Sequence, residues 1–175
     1  MLVIMVILFF VAVRELMPYS LPARPFRWVS LPALHDTNFE IKQGNIYFQG
    51  EPFPSGVNLP TFEVAINKTG SSTPYSKDKS HVYYIVEKPF EVIYIEIMPD
   101  ADPTTFQPIF NVGGIGLDAG SFAKDRYTVF AEDTPILGAD PKTFLVLNEP
   151  EICGPECEYN AKDKNHFYLG PQIIR

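Results

Sequence analysis

The sequence predicts an all-β chain of tandem β-hairpin or meander repeats with short helical turns, preceded by an N-terminal apolar helix. Three observations carry this. Three windows share a Lys-Asp-Lys/Arg core followed, two residues on, by a hydrophobic-aromatic pair: YSKDKSHVYY at 75–84, FAKDRYTVF at 122–130 and NAKDKNHFY at 160–168. The runs beside them are rich in Val, Ile, Tyr, Phe and Thr, residues suited to a pleated, half-buried surface. The 17 prolines among 175 residues are scattered, which punctuates short elements and argues against long helices.

Composition bounds the rest. A chain that is 46% apolar and 14% aromatic has material for a core and is not wholly disordered. The net charge of −7 disfavours nucleic-acid phosphates as partner. Its distribution is uneven: residues 1–74 carry five basic and five acidic side chains, whereas 75–175 carry 9 and 16. Two cysteines exclude a disulfide-framework fold.

Residues 1–17 read as a signal or membrane-anchor segment. Met1 to Val13 is an unbroken run of 13 apolar residues, ended by Arg14-Glu15. As a helix it reaches about 20 Å, short of a hydrocarbon core of about 30 Å, so an export h-region or part of an anchor fits better than a full span. The competing reading is a buried segment of the domain. Residues 18–38 read as a Pro-rich linker through Pro18, Pro22, Pro25 and Pro32, with either Trp28, Arg24 and Arg27 as an interfacial anchor or Trp28 and Phe26 packed on the domain.

Residues 39–175 read as the β-repeat domain, in units of about 39–74, 75–121, 122–158 and a partial 159–175. Asp78, Asp125 and Asp163, each followed by Lys79, Arg126 or Lys164, sit where an Asp side chain bonds its own backbone in a tight turn. Asp102-Pro103 and Asp140-Pro141 open two matching blocks, ADPTTF and ADPKTF, with Asp as N-cap and Pro as first position of one 3₁₀ or α turn. The unit of 75–121 is about nine residues longer than the next, and EVIYIEI at 91–97 reads as a further strand. In the degenerate first unit, Asn45-Ile46-Tyr47-Phe48 matches His81-Val82-Tyr83-Tyr84 in character, and Pro60-Thr61-Phe62 matches Lys142-Thr143-Phe144. A period near 40 residues with strand content points to a β-repeat array.

The windows KDKSHVYY and AKDKNHFY, with ADPKTF, resemble the repeat of the DKNYY family of bacterial proteins. The resemblance covers 75–175 and extends weakly over 39–66; Arg126-Tyr127-Thr128 departs from it. It implies an envelope-associated protein of uncharacterised function, on the periplasmic or extracytoplasmic side of the inner membrane. It carries over no catalytic residues.

Candidate chemistry is sparse. His81 and His166 stand three residues after Asp78 and Asp163, so an Asp163–His166 general-base pair would make a hydrolase. Thr128 at the equivalent middle position and the lack of a nucleophile motif favour a non-catalytic binding or structural module. Three histidines and two close cysteines give no standard zinc pattern, and no cofactor is expected. Glycines at 111–120 precede a strand pattern rather than a helix, so they read as a connection, not a phosphate loop. Cys153 and Cys157 would close a small disulfide loop worth about 2 kcal/mol in an exported protein, and would be free thiols in the cytosol. The partner expected is an unknown protein or envelope ligand, with the membrane reached through the N-terminal segment if uncleaved.

Overall fold

The computed structural model describes residues 26–33, 38–67, 72–86, 94–109, 122–147 and 160–174. Among these residues the regular structure is strand, apart from 3₁₀ turns at Leu31–Ala33 and Leu59–Thr61. The strands are β1 (Arg27–Ser30), β2 (Phe39–Lys42), β3 (Asn45–Phe48), β4 (Glu51–Pro52), β5 (Glu63–Ile66), β6 (Ser72–Lys77), β7 (Val82–Val86) and β8 (Tyr94–Ile97). They continue as β9 (Gln107–Ile109), β10 (Phe122–Lys124), β11 (Val129–Ala131), β12 (Thr134–Pro135), β13 (Leu145–Val146), β14 (Ala161–Lys162), β15 (Phe167–Leu169) and β16 (Gln172–Ile173). Four antiparallel sheets result, in the orders β2-β3-β4, β1-β5-β6-β7-β8, β9-β10-β11-β12 and β13-β14-β15-β16.

Short turns set the registers. Gln43-Gly44 and Gln49-Gly50 all have positive φ, the backbone that a two-residue hairpin loop requires. They fix Lys42 opposite Asn45 and Phe48 opposite Glu51. At the Lys-Asp windows the amide of Asp78, Asp125 or Asp163 donates to the carbonyl three residues on, at 2.9, 2.9 and 3.0 Å.

Strand alternation stacks the sheets. In β7, Tyr83 and Ile85 enter one apolar layer with Ile46 and Phe48 of β3, while Val82 and Tyr84 enter a second with Ala123 and Phe130. In β11, Phe130 lies in that second layer, whereas Val129 and Ala131 enter a third with Ala161 and Tyr168. Successive side chains of a strand point to opposite faces, so the two middle sheets are covered on both. β7 and β11 are accordingly apolar or aromatic throughout. β3 and β15 bury one face only: Ile46 and Phe48 in the first, Tyr168 in the second. A phenylalanine before each new sheet fills the layer behind it: Phe62, Phe106 and Phe144, one per layer.

Three features depart from the sequence reading. Residues 27–30, placed in the linker of 18–38, form an edge strand paired with β5. Trp28 packs on the second layer, with the Lys77 ammonium 4.4 Å from its ring centroid. Trp28 and Val29 pack on opposite faces, on the second and first layers, a strand signal hidden by the surrounding prolines. Secondly, Tyr94–Ile97 is the strand read within 91–97, but it is not extra to the sheet. It takes beside β7 the place that β12 takes beside β11, and Met98 N–H donates to the Val82 carbonyl as Ile136 N–H does to Val129. The extra length lies in the connection before it. Thirdly, the sheets run over 107–135 and 145–173, across the units at 122 and 159, because the strand after each Thr-Phe pairs with the strand before the following Lys-Asp turn.

The apolar run of 1–13, the glycines of 111–120 and Cys153 and Cys157 lie outside the described residues. Among the described residues no helix is long and apolar enough to cross a membrane.

Candidate functional site

The residues singled out in sequence converge on three junctions, each joining one sheet to the next. Asp163 shows the construction. Its Oδ1 accepts the N–H groups of Asn165 and His166, both at 2.7 Å. Its Oδ2 accepts the Asp140 N–H at 2.8 Å and the Tyr168 hydroxyl at 2.8 Å. Two bonds close the local turn; the other two hold a block 23 residues upstream and a tyrosine of the next strand. The Lys164 N–H donates to Thr143 Oγ1 at 3.2 Å, and its ammonium lies 3.0 Å from Asp140 Oδ2.

Asp125 repeats this with Tyr127, Thr128 and Asp102 as donors, at 2.7, 2.7 and 2.8 Å. Arg126 bonds Thr105 through its amide and reaches Asp102 Oδ2 through Nε at 3.0 Å. Phe130 stands where the other junctions have tyrosine, so this carboxylate accepts no hydroxyl five residues on. Asp78 takes Ser80 and His81 on Oδ1, and Asn58 and the Tyr83 hydroxyl on Oδ2, at 2.7 to 2.9 Å. The Lys79 N–H donates to Thr61 Oγ1 at 3.1 Å.

The Asp-Pro blocks form single capped turns. Phe106 and Phe144 N–H groups donate back to the Asp102 and Asp140 carbonyls, both at 3.0 Å. The carboxylates accept the amides of Thr104 and Lys142. The Pro103 and Pro141 carbonyls accept the ammonium groups of Lys77 and Lys124 at 3.0 and 2.8 Å. Sequence reasoning missed Asn58, whose side chain bonds Thr61 as Asp102 bonds Thr105 and Asp140 bonds Thr143. It also missed those threonines and the Tyr83 and Tyr168 hydroxyls. Their signal was present: a Thr before each layer phenylalanine, and a Tyr five residues after Asp78 and Asp163.

The electrostatics follow from this bonding. Burial pushes the Asp163 carboxyl up, but the amides of Asp140, Asn165 and His166 and the Tyr168 hydroxyl outweigh it and lower its pKa to about 2. Asp78 is likewise below the usual carboxylate range, with burial overcome by Asn58, Ser80, His81 and Tyr83. The Thr104 hydroxyl and Arg126 lower Asp102; the Lys164 ammonium leads the lowering of Asp140. Burial followed by the bond to Asp78 or Asp163 raises the Tyr83 and Tyr168 hydroxyls. Burial lowers the Lys77 and Lys124 ammonium groups.

An acid-lability window results. A carboxylate depressed in the folded state stabilises it fully above its unfolded pKa of about 4 and loses that contribution as pH falls through the folded value. The melting temperature is expected to fall steeply between about pH 4 and pH 2, the value for Asp163. Asp163→Asn should flatten this fall in circular dichroism melts taken across that range.

Chemically, the Asp78 and Asp163 carboxylates are saturated, each with four donors. His166 Nδ1 lies 3.8 Å from Asp163 Oδ1 and 3.3 Å from the Tyr168 hydroxyl; His81 Nδ1 lies 3.9 Å from Asp78 Oδ1. Neither distance to the carboxylate is a hydrogen bond. An open cleft of about 460 Å³ lies beside the Asp78 turn, lined by Ser30, Phe62, Glu63, Lys77, Lys79 and Thr104 among others. Among the described residues no group of His, Cys, Asp and Glu is placed to hold a metal ion. No protein-family model, curated protein or solved structure matches this chain.

Proposed function

We propose that this chain is a non-catalytic binding or structural module of the bacterial cell envelope, built from tandem DKNYY-like units behind an export signal or anchor. The observation that carries it is the state of the recurring carboxylates. A general base needs a lone pair directed at a substrate proton. The Asp163 oxygens instead receive four donors, three of them backbone amides. The His166 Nδ1, which would be the base, lies 3.8 Å from Asp163 Oδ1, beyond the hydrogen bond by which a carboxylate orients it. The Asp163–His166 pair therefore supports a turn better than a hydrolase.

Binding would use the exposed ends and hairpins of the sheets. Tyr127 is 69% exposed and stacked under the Arg126 guanidinium at 4.6 Å, an amphipathic contact surface of the kind found at interfaces. The envelope reading rests on the apolar run of 1–13 and on the family resemblance. It is tested by expressing the full chain in a Gram-negative bacterium and treating spheroplasts with protease. Digestion from outside, abolished when residues 2–13 are deleted, is the expected result. A full-length chain recovered intact in the cytosolic fraction would refute the placement.

A further inference from the structure

We infer that the outer face of the last sheet, β13–β16, is a docking surface for one further antiparallel sheet of the same construction, led in by an Asp-Pro-x-Thr-Phe block. This rests on the repeated-unit reading proposed above. Four N–H to carbonyl bonds define equivalent positions: Phe53 to Ile46, Met98 to Val82, Ile136 to Val129 and Ile174 to Phe167, at 2.8 to 2.9 Å. They mark four equivalent triplets, namely Ile46/Phe48/Phe53, Val82/Tyr84/Met98, Val129/Ala131/Ile136 and Phe167/Leu169/Ile174. The first three are buried, each within the layer shared with the following sheet. The fourth is open: Leu169 and Ile174 are each 43% exposed, and Leu145, on the same face of the sheet, is 50% exposed.

The opposite end of the stack is finished differently. The outer face of the first sheet presents Glu40 opposite Tyr47, and Glu40 pairs with the Lys42 ammonium. At the position of Glu40 the other sheets carry Ser76, Ala123 and Ala161, all buried. Charge there closes the stack, as the polar outer faces of terminal repeats do in stacked proteins. The apolar end stays open.

The occupant follows from how the internal layers are made. Each pairs a triplet with an aromatic from the central strand of the next sheet (Tyr83, Phe130 or Tyr168) and with the phenylalanine of the intervening block (Phe62, Phe106 or Phe144). Two copies of this chain meeting triplet to triplet supply neither aromatic. A further sheet supplies both.

The test appends a copy of residues 138–174 after Arg175 in the full chain, with and without Leu169→Glu/Ile174→Glu in the original sheet. Amide hydrogen exchange of the appended strands is expected to be protected. The double substitution should speed that exchange at least tenfold, while leaving the urea midpoint of the unextended chain unchanged. A protected appended unit indifferent to the substitutions overturns this inference alone. An appended unit that never gains protection overturns it together with the repeated-unit reading. An unextended chain that sediments as a dimer, and becomes a monomer on Leu169→Glu/Ile174→Glu, assigns the face to a second copy and overturns it too.

Discussion

Replacing Asp78 by alanine is expected to lower the stability of the fold by about 3–5 kcal/mol, read as a fall in the urea midpoint. The side chain is fully covered and accepts four hydrogen bonds, from Asn58, Ser80, His81 and the Tyr83 hydroxyl. Removing it strands three amides and a phenol, whose lost partners dominate the cost. Domains of this size are stable by about 5–15 kcal/mol, so the loss is a large fraction of the total. Asp78→Asn keeps one acceptor oxygen and the shape, and should cost less. Tyr83→Phe is the matched control: about 1 kcal/mol, because the middle junction is built with Phe130 in that place. A cost for Asp78→Ala no greater than that of Tyr83→Phe would contradict the central role given to the carboxylate.

Phe106→Ala should be about as damaging, at about 3–5 kcal/mol. The ring is 1% exposed, with centroids 5.3 Å from Tyr75 and 5.8 Å from Phe130. It lies between two sheets that share no backbone ladder; the apolar layer, the Asp125 junction and the Tyr75 hydroxyl bond to the Glu132 carbonyl at 2.9 Å join them. Phe106→Leu refills most of the volume and should cost about 1 kcal/mol. Because the sheets meet through separate apolar layers, the alanine variant is expected to unfold in two urea steps instead of one. Loss of the shared layer would separate the first two sheets from the last two. Leu137→Ala, at a side chain 84% exposed, should leave the melt unchanged.

Much of the local structure was legible in the chain. The Lys-Asp windows, the Gly-containing turns and the β-rich runs each specify bonds within three residues, and those bonds are present at Asp78, Asp125 and Asp163. Less legible was the second role of the same side chains. Oδ2 of each carboxylate reaches an amide 20 or 23 residues upstream, a pairing that no local pattern encodes. The threonines and tyrosines of the junctions recur in sequence, but recurrence alone does not separate a packing residue from a donor. Residues 27–30 escaped because prolines masked a strand that needs β5 beside it.

The strand-rich class, the tight Asp turns and the capped Asp-Pro blocks are encoded locally, since these rest on backbone geometry within a few residues. The assignment of faces is not. In β7 and β11 every side chain is apolar or aromatic, so alternation carries no polarity signal; the layer that Tyr83 or Val82 enters is set by the neighbouring sheet. The tertiary structure also sets His166 Nδ1 3.8 Å from Asp163 Oδ1, beyond hydrogen-bond reach. Donors from a distant block and a neighbouring strand, invisible along the chain, fill the carboxylate first.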